Sequence, residues 1–591
     1  MMRWFLKLCV LGALTACSAT APISVPERSV LSESGVSVPL SPRSGVLQWR
    51  NLPYAQPPVG PRRWAAPRQL VPTDQAVSSQ PFPLMCPQMA STTGGTEGEG
   101  VFGREDCLYL DVTAPASSSA LLPVMFWIHG GGNTSGHKDS YDFSALVERE
   151  QVVVVAINYR LGPLGWFDHP ALSGNASGLD QSSNFGTLDI IAALSWVQRN
   201  IERFGGDPNN VTVFGESAGG RNVLSLLVSP LSEGLFHRAI AQSGHVRSLS
   251  RDAAFNERDQ YAHVDRGSWR VLESLGLDGS DVEASEMRAI DVEQFVGAYY
   301  ALEVDHMQPA IIADDIVIPA AGLSAALADP KYAKNVPVMA GTTRDEITLW
   351  IGLNRYFVDA DYPLTRLLPP RMTIRDEALY RFWTEIRSRG WREQGVDGPL
   401  AALESAGYET LYAYRFDWNE QDDNYFIAFS EILGAPHGSE IAFIQGAPMY
   451  GPIGDYMYPD TDSARVMTER MMSAWAEFAR TGQPGAVAGI AWPPYSAMAP
   501  HFMRLDSDDG LGVSFGAEDR GGLMNDIART TVLSPLEQCL LLWELLTAVG
   551  QPDYAAYSDW QGGQCRAVDA VAEKRSIRTR LEAEYGSASL P

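Results

Sequence analysis

Val211-Thr212-Val213-Phe214-Gly215-Glu216-Ser217-Ala218-Gly219-Gly220 decides how this chain folds, because a β-rich run ends there in a serine set between glycines. In a G-x-S-x-G turn the chain passes from strand to helix so tightly that side chains at Gly215 and Gly219 would collide. Such a turn exposes the Ser217 hydroxyl above a sheet and leaves the Ala218 N–H aimed at an oxyanion, which makes Ser217 a candidate nucleophile. Glycine and serine are also ordinary turn residues, so the reading depends on what else the chain carries.

Upstream, Val124-Met125-Phe126-Trp127-Ile128 reads as a buried strand and runs into His129-Gly130-Gly131-Gly132. Glycines there expose bare backbone N–H groups. One such donor aimed at the charge that develops on an attacked carbonyl contributes about 3 to 4 kcal/mol of transition-state stabilisation. Gly131, Gly132 and Ala218 are the candidate oxyanion donors, and His129 reads as structural.

Hydrolysis through a serine needs a histidine and an acid, in this architecture in the chain order Ser, acid, His. Six histidines follow the serine: His237, His245, His263, His306, His437 and His501. Only His437 stands in a glycine-flanked loop, Leu433-Gly434-Ala435-Pro436-His437-Gly438-Ser439-Glu440, downstream of a strand around Tyr412–Phe416; His501 competes on pattern alone. The strand Val336–Gly341 leads into Thr342-Thr343-Arg344-Asp345-Glu346, placing a carboxylate at a strand's carboxyl end, where α/β sheets do their chemistry. On residues alone, Asp345 and Glu346 are equal candidates.

Further motifs are spread over nearly the whole mature chain: Leu52-Pro53-Tyr54-Ala55-Gln56-Pro57-Pro58-Val59-Gly60, Glu105-Asp106-Cys107-Leu108-Tyr109-Leu110-Asp111-Val112, Asn158-Tyr159-Arg160-Leu161-Gly162, Phe204-Gly205-Gly206-Asp207-Pro208, Gln242-Ser243-Gly244 and Trp475-Ala476-Glu477-Phe478-Ala479. With these the chain resembles a type B carboxylesterase of the cholinesterase and carboxylesterase family, with the α/β-hydrolase fold: a large, mostly parallel sheet flanked by helices, with inserted helical cap elements. The resemblance implies a triad of Ser217, Glu346 and His437, so that Glu346 rather than Asp345 orients the histidine. It implies buried polar roles for Ser243 and Glu440 beside the histidine, matches Glu216 to the acid before the nucleophile, and implies ion pairs Arg63–Glu105 and Arg160–Asp189. Together with proximity in the sequence it pairs Cys86 with Cys107, which leaves Cys539 with Cys565. Each closed loop contributes about 3 kcal/mol by restricting the unfolded chain.

The sequence also departs from the family's pattern. Ile347 follows Glu346 where glycine is usual, Ile190 follows Asp189 where glutamine is usual, and Arg221-Asn222 replaces small uncharged residues after Gly220. Arginines are far more often exposed than buried, so Arg221 is expected to pair with an acid at the surface.

The expected activity is serine-dependent hydrolysis of small to medium carboxylic esters through an acyl-enzyme, without metal or cofactor, since no C-x-x-C, H-E-x-x-H or dinucleotide fingerprint is present. The competing readings are a non-catalytic binding or adhesion protein on the same scaffold, and an acyltransferase or lipase using the same acyl-enzyme. A net charge of −26 excludes nucleic acid as an expected partner, and no obligate protein partner is implied. In the cholinesterase branch of the family that the chain resembles, a tryptophan in the first disulfide loop stacks on the cationic ligand; the loop between Cys86 and Cys107 holds neither Trp nor Tyr, which argues against a choline ester.

Residues 1–16 read as a lipoprotein signal peptide: a cationic start, a short apolar core, and Leu14-Thr15-Ala16-Cys17, similar to a lipobox. Cys17 would carry lipid and anchor the protein in a bacterial cell envelope, with Ser18 favouring the outer membrane; a secreted or periplasmic protein is the alternative. Residues 17–34 are expected to form a tether and 35–530 the catalytic domain. Residues 531–591 are expected to form a helical extension. Helical composition between Pro369 and Trp391 and around Ala401–Gly407 suggests cap helices or core packing.

Overall fold

A computed structural model describes residues 29–77, 83–91, 96–264, 266–302, 309–362, 370–449 and 451–589. The expected signal peptide, Cys17, most of the expected tether and His306 lie outside the described residues.

Ten strands form one sheet: β1 (Val46–Pro53), β2 (Tyr109–Pro115), β3 (Leu122–Ile128), β4 (Val153–Ile157), β5 (Gly206–Glu216), β6 (Arg238–Gln242), β7 (Val338–Thr343), β8 (Leu411–Phe416), β9 (His501–Leu505) and β10 (Gly512–Phe515). Their spatial order is β1-β2-β4-β3-β5-β6-β7-β8-β9-β10. The run from β4 to β9 is parallel, and β1, β2 and β10 complete the edges with antiparallel pairings. Parallel neighbours end on one side, so the loops after β3, β5, β7 and β8 emerge together above the carboxyl edge. This is where an open α/β sheet places its site.

Both faces of the sheet are covered, which explains why its strands are apolar runs rather than alternations of apolar and polar residues. Phe126 and Ile128 face a core shared with Phe185, Leu188 and Leu194 of α1 (Phe185–Asn200) and with Val223 and Leu227 of α2 (Ala218–Val228). Their neighbours Met125 and Trp127 face a second core built on Met471, Trp475 and Phe478 of α4 (Asp462–Thr481). Successive side chains thus serve opposite layers, as a pleated strand requires.

A third core lies beside the sheet. It joins Ile347 and Ile351, just after Glu346, to Tyr380, Trp383 and Ile386 of α3 (Glu377–Arg392) and to the apolar faces of α5 (Arg520–Arg529), α6 (Pro535–Thr547), α7 (Tyr554–Asp559) and α8 (Ala570–Tyr585). The Cys539–Cys565 disulfide is buried within it, and Cys86–Cys107 joins the first core. Among the described residues no helix is long and apolar enough to cross a membrane.

Three boundaries differ from the sequence reading. The end of the expected tether is folded against the domain, because Val30–Ser32 pairs with Gly35–Ser37 and Val30 is buried in the first core, while Glu33 takes an ion pair from Arg199 at 2.8 Å. Helix α5 packs on α3 and α6, so the C-terminal unit begins before residue 531. Arg371–Ile374, read as helical, pairs as a strand with Val358–Asp361.

Candidate active site

Ser217 stands between β5 and α2 at φ +58°, a strained conformation for a residue with a side chain and one that marks functional turns. Its N–H donates to the Gln242 carbonyl at 2.8 Å, and its side chain is half-buried rather than sealed in. The glycines are required by close approach. A Cβ at Gly215 would lie 2.6 Å from the Ile128 carbonyl oxygen, and one at Gly219 would overlap that same oxygen. The elbow therefore sits directly on the end of β3, where the His129-Gly130-Gly131-Gly132 loop begins. A Cβ at Gly130 would approach Ser217 Cβ to 3.3 Å, so the loop lies against the serine. Ala218 is the first residue of α2, and a first-turn N–H has no carbonyl within its own helix.

His437 and Glu346 meet in a hydrogen bond from Nδ1 to Oε2. Glu346 has no exposed surface and also accepts from Ser243 Oγ at 2.6 Å and from the Thr343 N–H at 2.8 Å. Asp345 instead pairs with Arg344 at 2.7 Å and accepts from the Ala435 N–H at 2.9 Å, which holds the loop that carries His437. Of the two carboxylates, then, it is Glu346 that meets the imidazole. His501 lies on β9 with its ring 5.3 Å from that of Phe515.

On the other side of the imidazole, Nε2 is 3.1 Å from Glu216 Oε1. Burial alone would pull His437 down, but Glu216, Glu346 and Glu440 overrule it and raise the imidazole to about 9. Burial in turn pushes Glu216 up to about 7. It pushes Glu440 up to about 8, helped by its neighbours Glu216 and Glu346. Glu440 is tied to the sheet through Gln242, whose amide donates to it at 3.3 Å and accepts from Trp475 Nε1 at 3.1 Å.

Two tryptophans close over the histidine. The Trp391 ring lies 4.7 Å from that of His437 and the Trp350 ring 5.0 Å, and the two indoles stack at 5.6 Å with 10° between their planes. Trp391 is fixed by its Nε1–H to the Ser243 carbonyl at 3.0 Å. The sequence reading passed over both residues. For Trp350 a signal existed, since it follows Glu346 by one helical turn; Trp391 is brought in by the long-range packing of α3.

Arg221 is not at the surface, contrary to expectation. Its side chain is fully buried and reaches the Gly132 carbonyl at 3.4 Å, among Tyr159 and Tyr299, and burial pulls its guanidinium down to about 10. Asn222 beside it exchanges amide hydrogen bonds with Asn133 at 2.9 and 3.4 Å. Tyr159 Oη donates to the His129 carbonyl at 2.7 Å, with its ring stacked on the imidazole at 4.4 Å. Burial pulls His129 down to about 3, so it stays neutral and structural. The dipeptide that departs from the family's pattern is therefore a clamp on the glycine loop. The implied ion pairs form as well: Arg63 with Glu105 at 2.5 and 2.7 Å, and Arg160 with Asp189 at 2.7 Å twice.

A mostly parallel sheet with a serine elbow after its central strand, and with the loops of neighbouring strands gathered above it, defines an α/β hydrolase. The model of the carboxylesterase family matches residues 34–361 and 399–518. Among curated proteins, the chain is 33% identical over 475 residues to the para-nitrobenzyl esterase of Bacillus subtilis, covering 79% of this chain and 92% of that one. It is 30% identical over 504 residues to liver carboxylesterase B-1 of Rattus norvegicus, covering 76% and 84%. Among solved structures, a PNB esterase aligns with a TM-score of 0.63 at 28% identity, covering 83% of this chain and 97% of that one. A Geobacillus stearothermophilus carboxylesterase at pH 6.2 aligns with a TM-score of 0.64 at 28% identity, covering 84% and 98%. The chain belongs to the carboxylesterase family and is an ester hydrolase. The family match omits 362–398 and stops at 518, so all of α3 and α5–α8 lie outside it.

Proposed function

We propose that this carboxylesterase works through a Ser217–His437–Glu346 triad and an acyl-enzyme, on small to medium carboxylic esters. The observation that carries this reading is the strained Ser217 turn pressed against the glycine loop, with His437 held at Nδ1 by the fully buried Glu346 and its Nε2 3.1 Å from Glu216, the residue before the serine. Neutral His437, its Nδ1–H held by Glu346, accepts the Ser217 proton at Nε2 as Ser217 Oγ attacks the ester carbonyl. The Gly131, Gly132 and Ala218 N–H groups receive the oxyanion, with Gly132 steadied through Arg221. His437 then protonates the leaving alcohol, and afterwards takes a proton from the water that frees the acid. Glu216 and Glu440 hold the imidazolium during these steps, at the cost of a base that works best in alkaline solution. The test is turnover of p-nitrophenyl esters from acetate to palmitate: saturable hydrolysis that falls off with the longest chains supports the reading. Absence of turnover across the series overturns it.

For the amino terminus, we propose cleavage before Cys17 and lipid attachment to it, placing the enzyme at a bacterial envelope membrane, with Ser18 favouring the outer one. The lipobox-like Leu14-Thr15-Ala16-Cys17 supports this. Incorporation of labelled palmitate that is lost in Cys17→Ala tests it; equal labelling of the variant overturns it.

A further inference from the structure

The turn that follows Glu346, inside the family match, and α3, α6 and α8, outside it, together line a cavity of about 260 Å³. Its apolar walls are Trp350, Phe357, Trp383, Leu540 and Ile577. Flat aromatic walls favour a flat aromatic guest, which gains from stacking beyond its buried area. The volume lies just below the roughly 300–1,000 Å³ of sites for drug-sized ligands, which suits one or two rings.

The charged groups of the lining are mostly cationic. Arg387, Lys574 and Arg578 face it together with one carboxylate, Glu544, in a chain whose net charge is −26. Glu544 takes Arg387 at 2.9 Å and also Lys574. Glu537 is engaged nearby by Tyr356 Oη at 3.0 Å and by the Ser534 N–H at 2.8 Å, which caps its own helix. Three cations against one carboxylate leave the lining ready for an anion, and guanidinium groups suit a carboxylate in particular.

Trp350 joins this cavity to the reaction centre. It lines the cavity, stacks on Trp391, and lies 5.0 Å from the His437 ring. We propose that the cavity is a binding site for a planar aromatic carboxylate of one or two rings, seated against Trp350 with its carboxylate toward Arg387, Lys574 and Arg578. Its link to turnover rests on the reading of His437 as the base. The aromatic acid is either the acid portion of the enzyme's own ester or a separate effector, and the same chemistry serves both.

The experiment titrates 2-naphthoate and the neutral 2-naphthamide against the full chain, following tryptophan fluorescence and, separately, hydrolysis of p-nitrophenyl acetate. Two variants accompany the wild type: Arg578→Glu, which reverses an exposed charge on α8, and Ile577→Trp, which fills the cavity. Binding of 2-naphthoate is expected at least tenfold tighter than that of 2-naphthamide, and at least fivefold weaker in each variant. Competitive inhibition assigns the site to the acid portion of the substrate, and non-competitive inhibition assigns it to an effector. Equal binding of acid and amide, or unchanged binding in both variants, overturns the proposal. Absence of p-nitrophenyl acetate turnover with variant-sensitive quenching intact would instead overturn the triad reading and leave the site standing.

Discussion

Glu216→Gln tests the electrostatics of the site most sharply, because it removes a charge while keeping a shape. His437 Nε2 is 3.1 Å from Glu216 Oε1, and the surrounding carboxylates raise the imidazole to about 9. A base must be unprotonated to act, so kcat/KM of the wild type is expected to climb with pH, reach half its plateau near pH 9 and level off about one unit above that. Burial pushes Glu216 up to about 7, so over that climb it is ionised and holds the proton on His437. An opposite charge at such range typically shifts a pKa by about 1–3 units, or about 1.4–4 kcal/mol. In the glutamine variant the rising limb is therefore expected at least about one unit lower, and activity at neutral pH gains relative to the plateau. The assay is kcat/KM on p-nitrophenyl acetate from pH 5.5 to 10.5, corrected for spontaneous hydrolysis, with melting curves to establish that both proteins are folded. A limb that stays in place or moves to higher pH would refute the reasoning.

Ser243→Ala withdraws one of the donors to the buried Glu346. Hydrogen bonds to charged groups contribute about 1.5–3 kcal/mol, so kcat should fall about 10- to 100-fold with KM little changed; wild-type kcat would count against it. Arg221→Met keeps most of the buried volume and removes the contact to the Gly132 carbonyl. A fall of about tenfold in kcat, about 1.4 kcal/mol, is expected in steady-state assays, whereas loss of melting temperature without loss of kcat would make Arg221 purely structural. Cys539→Ser with Cys565→Ser opens a loop of sequence separation 26 inside the third core. Denaturant unfolding should show about 3 kcal/mol less stability, and an unchanged midpoint would contradict that.

What could be read in the sequence was local, or ordered along the chain. The elbow, the glycine triplet and the strands ahead of them are contiguous patterns set by steric need, and they lie where the reading placed them. The choice between Asp345 and Glu346 was not legible from the residues, because adjacent carboxylates on one loop differ only in the direction each side chain takes. That direction is set by Arg344 and Ala435 on one side and by Ser243 and Thr343 on the other. Arg221 misled for a similar reason: arginines prefer the surface, and its burial depends on Tyr159, Tyr299 and the Gly132 carbonyl, all distant in sequence. Trp391 reaches His437 because α3 packs against β7 and the C-terminal helices; the apolar stripe of α3 shows which face is buried but not what it is buried against. The strand pair at Val30–Ser37 lay hidden under a Ser- and Pro-rich composition, where two three-residue strands are too short to show a pattern.

The most direct test of the account is to treat wild type and Ser217→Ala with diisopropyl fluorophosphate and map the adduct by peptide mass, alongside turnover of p-nitrophenyl butyrate. The account predicts one phosphoryl group per chain on the peptide holding Ser217, no adduct in the variant, and turnover lower by at least about 10³-fold. An adduct on another residue, or a Ser217→Ala protein that hydrolyses the ester like the wild type, would contradict it.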